Sequence, residues 1–311
     1  MSSIKNVFTF SHLHLLYDLF VLSMKITFAM TVAAFKMVIP PRAKNLIGET
    51  VLITGAGHGI GRELAIQLAS LGCIIVCWDI DTEANRSTIS MVSKNGGEAY
   101  GFVVDVSKRL EVREAARLMR KVGVPEVSIL INNAAVLYHR PFLNQESDLV
   151  EKTFNVNVLS NFWTIETFLP SMIQNGKGHI VCVCSMCGLM DALHEELRLD
   201  PKFNNIRFTT IYPFYVDTGL ARDPKYRFPY IFGVISPEYA AKEIIKAFRR
   251  NYTEYSIPRC LFTLNSINSF NAAFMAFRIV PETVMRLILD FLADVDRKRQ
   301  EKLAICETNT S

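Results

Sequence analysis

Residues 51–61 read Val-Leu-Ile-Thr-Gly-Ala-Gly-His-Gly-Ile-Gly, and they restrict the fold of this chain more than any other stretch. Val51–Thr54 is a short apolar run of the kind that becomes a buried parallel strand. Glycines follow at 55, 57, 59 and 61, and then Leu64, Ile66, Leu68 and Leu71 recur at helical spacing over Arg62–Leu71. A strand, a glycine turn and a helix N-terminus together make a site for an anion. Free backbone N–H groups and the helix dipole point at it, and the missing Cβ atoms let a pyrophosphate approach. The register Gly-x-Gly-x-x-Gly fails, because Ile60 and Arg62 stand where its last glycine belongs. Thr-Gly-x-x-x-Gly-x-Gly fits, which makes Thr54, Gly55, Gly59, Ile60 and Gly61 the candidate cofactor-binding residues.

From Glu49 onward, strand and helix patterns alternate. Strands are expected at Val51–Thr54, Ile74–Trp78, Tyr100–Val104, Ser128–Asn132, His179–Cys184 and Phe208–Tyr212. Helices are expected at Arg62–Leu71, Thr82–Asn95, Lys108–Val122, Asp148–Asn175 and Pro237–Arg250. Such alternation predicts an α/β fold, a Rossmann-type doubly wound parallel sheet covered on both faces. Phe154, Val158, Phe162, Ile165, Phe168 and Leu169 mark a core face on the long helix.

The remaining composition bounds the partners. A net charge of +4 with scattered Lys and Arg argues against a nucleic-acid partner. Seven cysteines, an odd count, suit a reducing compartment better than a disulfide framework, and Cys182 and Cys184 read as small buried hydrophobes on a strand. Half of the residues are hydrophobic, much of this at the two ends. Residues 7–39 are mostly apolar, and Leu19–Ile39 reaches the roughly 20 residues of a bilayer span. Lys25 and Lys36 interrupt that window and would have to snorkel toward an interface. Pro40-Pro41-Arg42-Ala43-Lys44 follows, a helix stop with positive charge that places the next domain on the cytosolic side. The expected organisation is a membrane anchor at 1–45, a dinucleotide-binding domain at 46–255, and an apolar C-terminal extension with a charged tail at 256–311. An amphipathic helix packed on the domain is the other reading of the N-terminus.

Asp79 stands eighteen residues after Gly61, about where an acidic residue reaches the adenosine ribose hydroxyls. A carboxylate there accepts from the 2′- and 3′-OH and repels a 2′-phosphate, which favours NAD over NADP. Helix capping is the alternative role, and Asp81 stands nearer that cap. Asn157 lies mid-helix, where asparagine is unfavourable unless its side chain works elsewhere.

The Thr54–Gly61 spacing resembles that of the short-chain dehydrogenase/reductase family, and the resemblance extends over residues 49–250. It implies an NAD(P)-dependent oxidoreductase acting on an alcohol or its carbonyl. Asp105 would then sit by the adenine, and Asn132 in Asn132-Asn133-Ala134-Ala135 would belong to the turn that braces the sheet. Asn157 would bend its helix and bind a water of the proton relay. Ser185 would hydrogen-bond the substrate oxygen. Pro213 and Thr218 match the loop that touches the nicotinamide carboxamide, with Phe214 where that loop usually has glycine. No metal ligands are implied. The apolar N-terminus, Gly-His-Gly-Ile-Gly and Trp78-Asp79-Ile80-Asp81 resemble the membrane-associated branch of retinol dehydrogenases and 17β-hydroxysteroid dehydrogenases (types 11 and 13). That branch implies a lipophilic alcohol of retinoid or steroid type, an endoplasmic reticulum or lipid-droplet surface with the domain facing the cytosol, and a homodimer. In it the apolar residues 255–293 would shape a lipid-facing entrance; ordinary core packing reads them equally well.

One family element is missing. The chemistry of the family rests on Tyr-x-x-x-Lys some 12–14 residues after the serine, and this sequence holds no Tyr-x-x-x-Lys. Ser185–Leu189 matches the family just after the serine, and Asp191–Leu197 matches the far end of the catalytic helix. Roughly twenty residues between the two matches are lacking. The 23 positions from Ser185 to Phe208 still suffice for a parallel crossover of about a dozen residues. Two outcomes follow from the sequence: an oxidoreductase, or a catalytically impaired nucleotide-binding or lipid-droplet-associated variant.

Overall fold

A computed structural model describes residues 17, 19–28, 31–32, 35, 39–138, 146–183, 205–213, 216–220 and 234–258. The chain divides into two units, residues 42–262 and a second made of 1–41 with 263–311. In the second unit residues 19–28 are helical, with Phe20, Met24 and Phe28 exposed. Among the described residues no helix is long and apolar enough to cross a membrane. The bilayer-spanning helix expected over Leu19–Ile39 is therefore not what the described residues form.

Unit 42–262 is built on seven strands: β1 (Thr50–Thr54), β2 (Ile74–Asp79), β3 (Glu98–Val103), β4 (Ile129–Asn132), β5 (Gly178–Val183), β6 (Ile206–Pro213) and β7 (Glu254–Ile257). They pair in the order β3-β2-β1-β4-β5-β6-β7, every pair parallel. Each of the six expected strands is present within two residues at either end. β7 lay in a run read as apolar extension, where four residues offer too little periodicity to tell a strand from a loop.

Alternate side chains of a strand face opposite ways, and here both faces are buried. Val51, Ile53 and Ile75 pack under α1 (Gly59–Ala69), α2 (Thr82–Lys94) and α6 (Pro237–Arg249) through Leu64, Leu68, Val92, Ile244 and Phe248. Leu52, Val76, Trp78 and Leu130 pack on the other side against α3 (Arg109–Lys121) and α5 (Ser160–Gln174) through Val112, Met119, Ile165, Phe168 and Met172. The long helix expected over Asp148–Asn175 is not continuous. It runs as α4 (Ser147–Phe154), one π turn (Asn155–Leu159) and then α5. Cys73, Cys77 and Cys182 are buried thiols, with burial pushing the first two up to about 12. They fill space as small hydrophobes.

The segment before β1 is built into the base of the sheet, at the N-terminal ends of β5 and β6. The Lys44 N–H donates to Arg249 O at 2.8 Å, and Arg249 Nε returns a bond to Lys44 O at 3.1 Å. Leu46 is fully buried. His179 of β5 sits 2.8 Å from Lys44 Nζ through Nδ1 and 2.8 Å from Thr209 Oγ1 through Nε2. Thr209 gives its one proton to Tyr252 O at 2.7 Å. Thr209 must then accept from His179 Nε2–H, so Nδ1 carries no proton and accepts from Lys44. The chain of bonds requires a neutral imidazole. Burial first, and then the charges of Lys44 and Arg207, hold His179 well below its ordinary 6.5.

The sign of the pH dependence follows. Below about pH 6.5 the unfolded chain takes up a proton at this position that the folded chain refuses, so stability present above that value is lost on acidification. Thermal melting is expected to fall between about pH 7 and pH 5, and to fall less in His179→Gln. Equal losses in both proteins would remove His179 as the source.

Candidate cofactor site

The sheet reverses its order of winding between β1 and β4, so the chain leaves their C-terminal ends in opposite directions and opens a crevice there. The glycine turn lies in that crevice. It is tied to β4 by two side chains. Thr54 Oγ1 accepts from the N–H groups of Asn133 (3.0 Å) and Ala134 (3.1 Å). Asn133 Nδ2 donates to Thr54 O (3.0 Å) and Gly55 O (3.2 Å). The turn's carbonyls are engaged on the inner side. Thr88 donates to Ala56 O at 3.0 Å, the Arg62 guanidinium donates to Gly57 O, and Arg62 Nε donates to Thr88 Oγ1 at 3.2 Å.

Two glycines are sterically required. Gly59 has φ +51° at the first position of α1, a conformation that side chains rarely adopt. A Cβ on Gly61 would lie 2.1 Å from Gly55 O, so the turn closes directly onto the helix. The N-cap residue His58 makes no side-chain cap bond, and the first turn of α1 holds no acidic residue. The first N–H groups of a helix lack intrahelical partners. Among the described residues no side chain takes them, and an anion fits. Ile60 contributes its backbone alone, since its side chain belongs to the core.

Asp79, at the end of β2, accepts from Gly57 N–H at 2.7 Å through Oδ2 and from Asp81 N–H at 2.9 Å through Oδ1. A carboxylate takes about four hydrogen bonds, so acceptor capacity remains for a diol. Asp81 is the cap of α2, accepting from the Glu83 and Ala84 N–H groups at 3.0 Å each. The bond from Ala84, and next that from His58 at 3.4 Å, hold its carboxyl below the usual range. Asp81, not Asp79, therefore takes the capping role.

Asp105 follows β3. Burial raises its carboxyl, but the two bonds from Ser107 (2.6 Å and 3.0 Å) and the Lys108 charge outweigh that and keep it low. Pro213 ends β6, and Thr218 returns to the turn, where a Cβ on Gly59 would meet its Cβ at 2.8 Å. Thr54, Gly55, Gly59, Ile60, Gly61 and Thr218 therefore converge, and Asp79 is hydrogen-bonded to the same turn.

Asn132 does not turn toward the crevice. It is buried, accepts from Thr164 Oγ1 at 2.9 Å and donates to Cys182 Sγ at 3.8 Å. Its role is to fix β4 against α5 and β5, and Asn133 is the residue that faces the turn. Adjacent strand residues point to opposite faces, so one of the pair had to be internal. The motif did not say which. Asn157 lies in the π turn. Its Oδ1 accepts from Val136 N–H and its Nδ2 donates to Val136 O, both at 2.9 Å. Asn161 Nδ2 caps the Asn157 carbonyl at 2.9 Å. Arg62, Thr88, Asn133 and Asn161 are site-building residues that the sequence reading missed. Their side chains act across the chain, 26 to 79 positions away in three of the four cases, with no local spacing to betray them. Ser185 lies outside the described residues, as do Phe214 and Tyr215. Among the described residues no cluster of His, Cys, Asp and Glu could hold a metal ion.

Residues 49–225 match the profile of a protein family described as short chain dehydrogenase. Epidermal retinol dehydrogenase 2 of Mus musculus is 35% identical over 278 residues, which cover 83% of this chain and 86% of that one. Estradiol 17-beta-dehydrogenase 11 of Mus musculus is 33% identical over 272 residues, 81% of this chain and 87% of that one. Among solved structures, a 7 alpha-hydroxysteroid dehydrogenase complexed with NADH and 7-oxo glycochenodeoxycholic acid superposes with a TM-score of 0.56 at 26% identity, covering 65% of this chain and 88% of that one. A short chain dehydrogenase/reductase from Burkholderia phymatum in complex with NAD shares the fold, with a TM-score of 0.62 at 23% identity over 71% of this chain and 93% of that one.

Gly61→Ala is expected to abolish dinucleotide binding in a calorimetric titration and to cost about 1–3 kcal/mol or more of stability, because overpacked sites rearrange. Asn157→Ala would leave both polar groups of Val136 unpaired, a loss of about 1–3 kcal/mol in urea denaturation if they stay buried. An unchanged denaturation midpoint would show that water replaces the side chain.

Proposed function

This chain belongs to the short-chain dehydrogenase family, and on that premise we propose that it is an NAD-dependent oxidoreductase of a lipophilic alcohol, or of its carbonyl, of retinoid or steroid type. The observation that carries this reading is the turn at Gly55–Gly61. Its carbonyls are bonded inward, its helix N-terminus is uncapped by any side chain among the described residues, and the Asp79 carboxylate is held to it by the Gly57 N–H. A nicotinamide dinucleotide, when bound, supplies the acceptor or donor of hydride. The chain's own residues bind and orient it. First-turn N–H groups of α1 take the pyrophosphate, Asp79 the ribose hydroxyls, Asp105 the adenine end, and Thr218 the nicotinamide carboxamide, with Pro213 leading into that loop. Asn132 stabilises the sheet beneath. Asp79 and Asp81 place two carboxylates near the position of a 2′-phosphate, and like charges a few ångströms apart repel. That favours NAD over NADP.

On the substrate side Ser185 holds the oxygen, and Asn157 anchors a water of the proton path. The absent Tyr-x-x-x-Lys leaves no phenol to move that proton, and general acid–base catalysis is worth about 10²–10⁴-fold. Turnover is expected to be slow by about that factor. The names of the relatives, a retinol dehydrogenase and a 17-beta-dehydrogenase, support the lipophilic substrate class. We propose residues 1–45 as a membrane-associated segment, 46–255 as the dinucleotide-binding domain and 256–311 as an apolar extension. The exposed Phe20, Met24 and Phe28 suit a helix lying in a bilayer interface or on a lipid droplet. The membrane is proposed as that of the endoplasmic reticulum with the domain on the cytosolic side, and a homodimer as the assembly.

The test titrates the full chain with NADH and NADPH by fluorescence, and then follows a single turnover with a retinoid and a steroid alcohol. Tighter NADH binding, weakened about tenfold or more in Asp79→Ala, together with slow product formation supports the reading. NADH binding with no product in a single turnover would reduce the chain to a nucleotide-binding protein, and absence of binding would overturn the proposal altogether.

A further inference from the structure

The base of the sheet, at the opposite end of the strands from the crevice, holds a set of groups for which cofactor binding has no use. Lys44 Nζ lies 2.8 Å from His179 Nδ1. As derived above, the relay through Thr209 to the Tyr252 carbonyl fixes the imidazole with its proton on Nε2 and its Nδ1 lone pair aimed at the amine. The face of Phe248 lies beneath that amine, with Nζ 5.5 Å from the ring centroid, and packs edge-on against the His179 ring. A lysine taken out of water or set beside other cations is one form of activated nucleophile. Here a half-buried lysine is held in one direction by a neutral acceptor.

From this geometry we propose that Lys44 is a modification site, an amine oriented by the neutral His179 ring that accepts an acyl group from activated acyl donors such as acyl phosphates and acyl thioesters. The neutral Nζ attacks the carbonyl carbon, a C–N bond forms, and the bond from carbon to phosphate or sulfur breaks. The proton lost from the amine leaves with the departing phosphate or thiolate. The balance needs no oxidant or reductant. The product is an amide without the charge of the ammonium and with a single N–H. It can no longer fill the place of Lys44 between His179 and Phe248, so acylation would loosen the strap, residues 42–48, from the base of the sheet.

The charged surroundings act in the same direction. Glu49, from the strap itself, favours the ammonium form, whereas Lys177 before β5 and Arg207 on β6 oppose it. Cys73, between α1 and β2, adds a small effect in favour of the ammonium. Arg249 of α6 binds the Lys44 carbonyl, and Lys177 is itself paired with Glu49 at 2.5 Å. Burial exceeds all of these, and the amine is lowered from 10.5 to about 8. Near pH 7 such an amine is free base roughly 300-fold more often than one of ordinary basicity. Part of that factor is returned because a less basic amine is the weaker nucleophile.

The experiment uses the full chain and methyl acetyl phosphate as the probe, with labelling at each lysine followed by mass spectrometry of peptides. Lys44 is expected to be acetylated at least about tenfold faster near pH 7 than the exposed Lys94 and Lys121. Its rate should level off above about pH 8, the value at which the amine is half neutral. His179→Gln removes the imidazole that orients the amine, and Lys44 labelling should drop toward that of the exposed lysines. Should that variant fail to fold, the pH profile of the unaltered chain decides alone. Labelling of Lys44 no faster than that of Lys94 and Lys121, or a rate that climbs through pH 10 without a break, would overturn the proposal.

Discussion

The hydroxyl of Thr54 accepts two backbone N–H groups from the segment that leaves β4, and the amide of Asn133 donates back to two carbonyls of the β1 turn. These four bonds hold together the two strands between which the winding of the sheet reverses. Everything the crevice can do depends on them. They set the height at which the glycine turn leaves the sheet, and hence where the N-terminus of α1 points. The Gly55 carbonyl in turn leaves no room for a Cβ at Gly61. Asp79 reaches the same turn from the neighbouring strand, so a ribose and a pyrophosphate would be read by one rigid unit. A buried polar network of this kind is worth having when all its members are satisfied. Thr54, Asn133, Thr88 and Arg62 all have partners.

The opposite end of the strands follows the same physics with a different outcome. At the crevice, polar groups are engaged inward so that N–H groups remain for an anion. At the base, His179, Thr209 and the Tyr252 carbonyl form a closed relay with Lys44 as its outer member. The first arrangement leaves donors free, and the second leaves one amine depressed and a histidine locked neutral. Both rest on the parallel strand order, which brings residues far apart in the chain to a common edge.

The N-terminal helix and the shortened connection after β5 separate this chain from a plain dinucleotide-binding domain. The helix carries exposed Phe20, Met24 and Phe28. The chain's own strap, residues 42–48, enters the core through Leu46 and Lys44 before the first strand begins. The segment 184–204, where the family would place a phenol and an ammonium one helical turn apart, holds no Tyr-x-x-x-Lys. The residues that build the crevice lie outside that segment.

Much was legible in the residues because the signals were local. Apolar runs of four to six residues marked six of the seven strands, and the glycine spacing marked the turn. Asp81 stood nearer the helix cap than Asp79 in the sequence, and it is the cap. β7 was hidden because four residues at the end of an apolar stretch carry no period. The π turn at Asn155–Leu159 was hidden, and with it part of the helix face: Phe154 and Phe162, which the spacing assigns to the core, are exposed, whereas Ile165 and Phe168 are buried. Asn157 nevertheless stood out as a polar residue in an unfavourable place. By itself the sequence determined the fold class, the anion-binding turn and the missing Tyr-x-x-x-Lys, because each is written in neighbouring residues. The tertiary structure alone decided that Asn133 and not Asn132 faces the turn, that Arg62 and Thr88 hold its carbonyls inward, and that Lys44 meets His179. Apart from the bond of Arg62 to Gly57 O, five positions away, those contacts join residues 26 to 135 positions apart, and only the packing of parallel strands brings such residues within a hydrogen bond of each other.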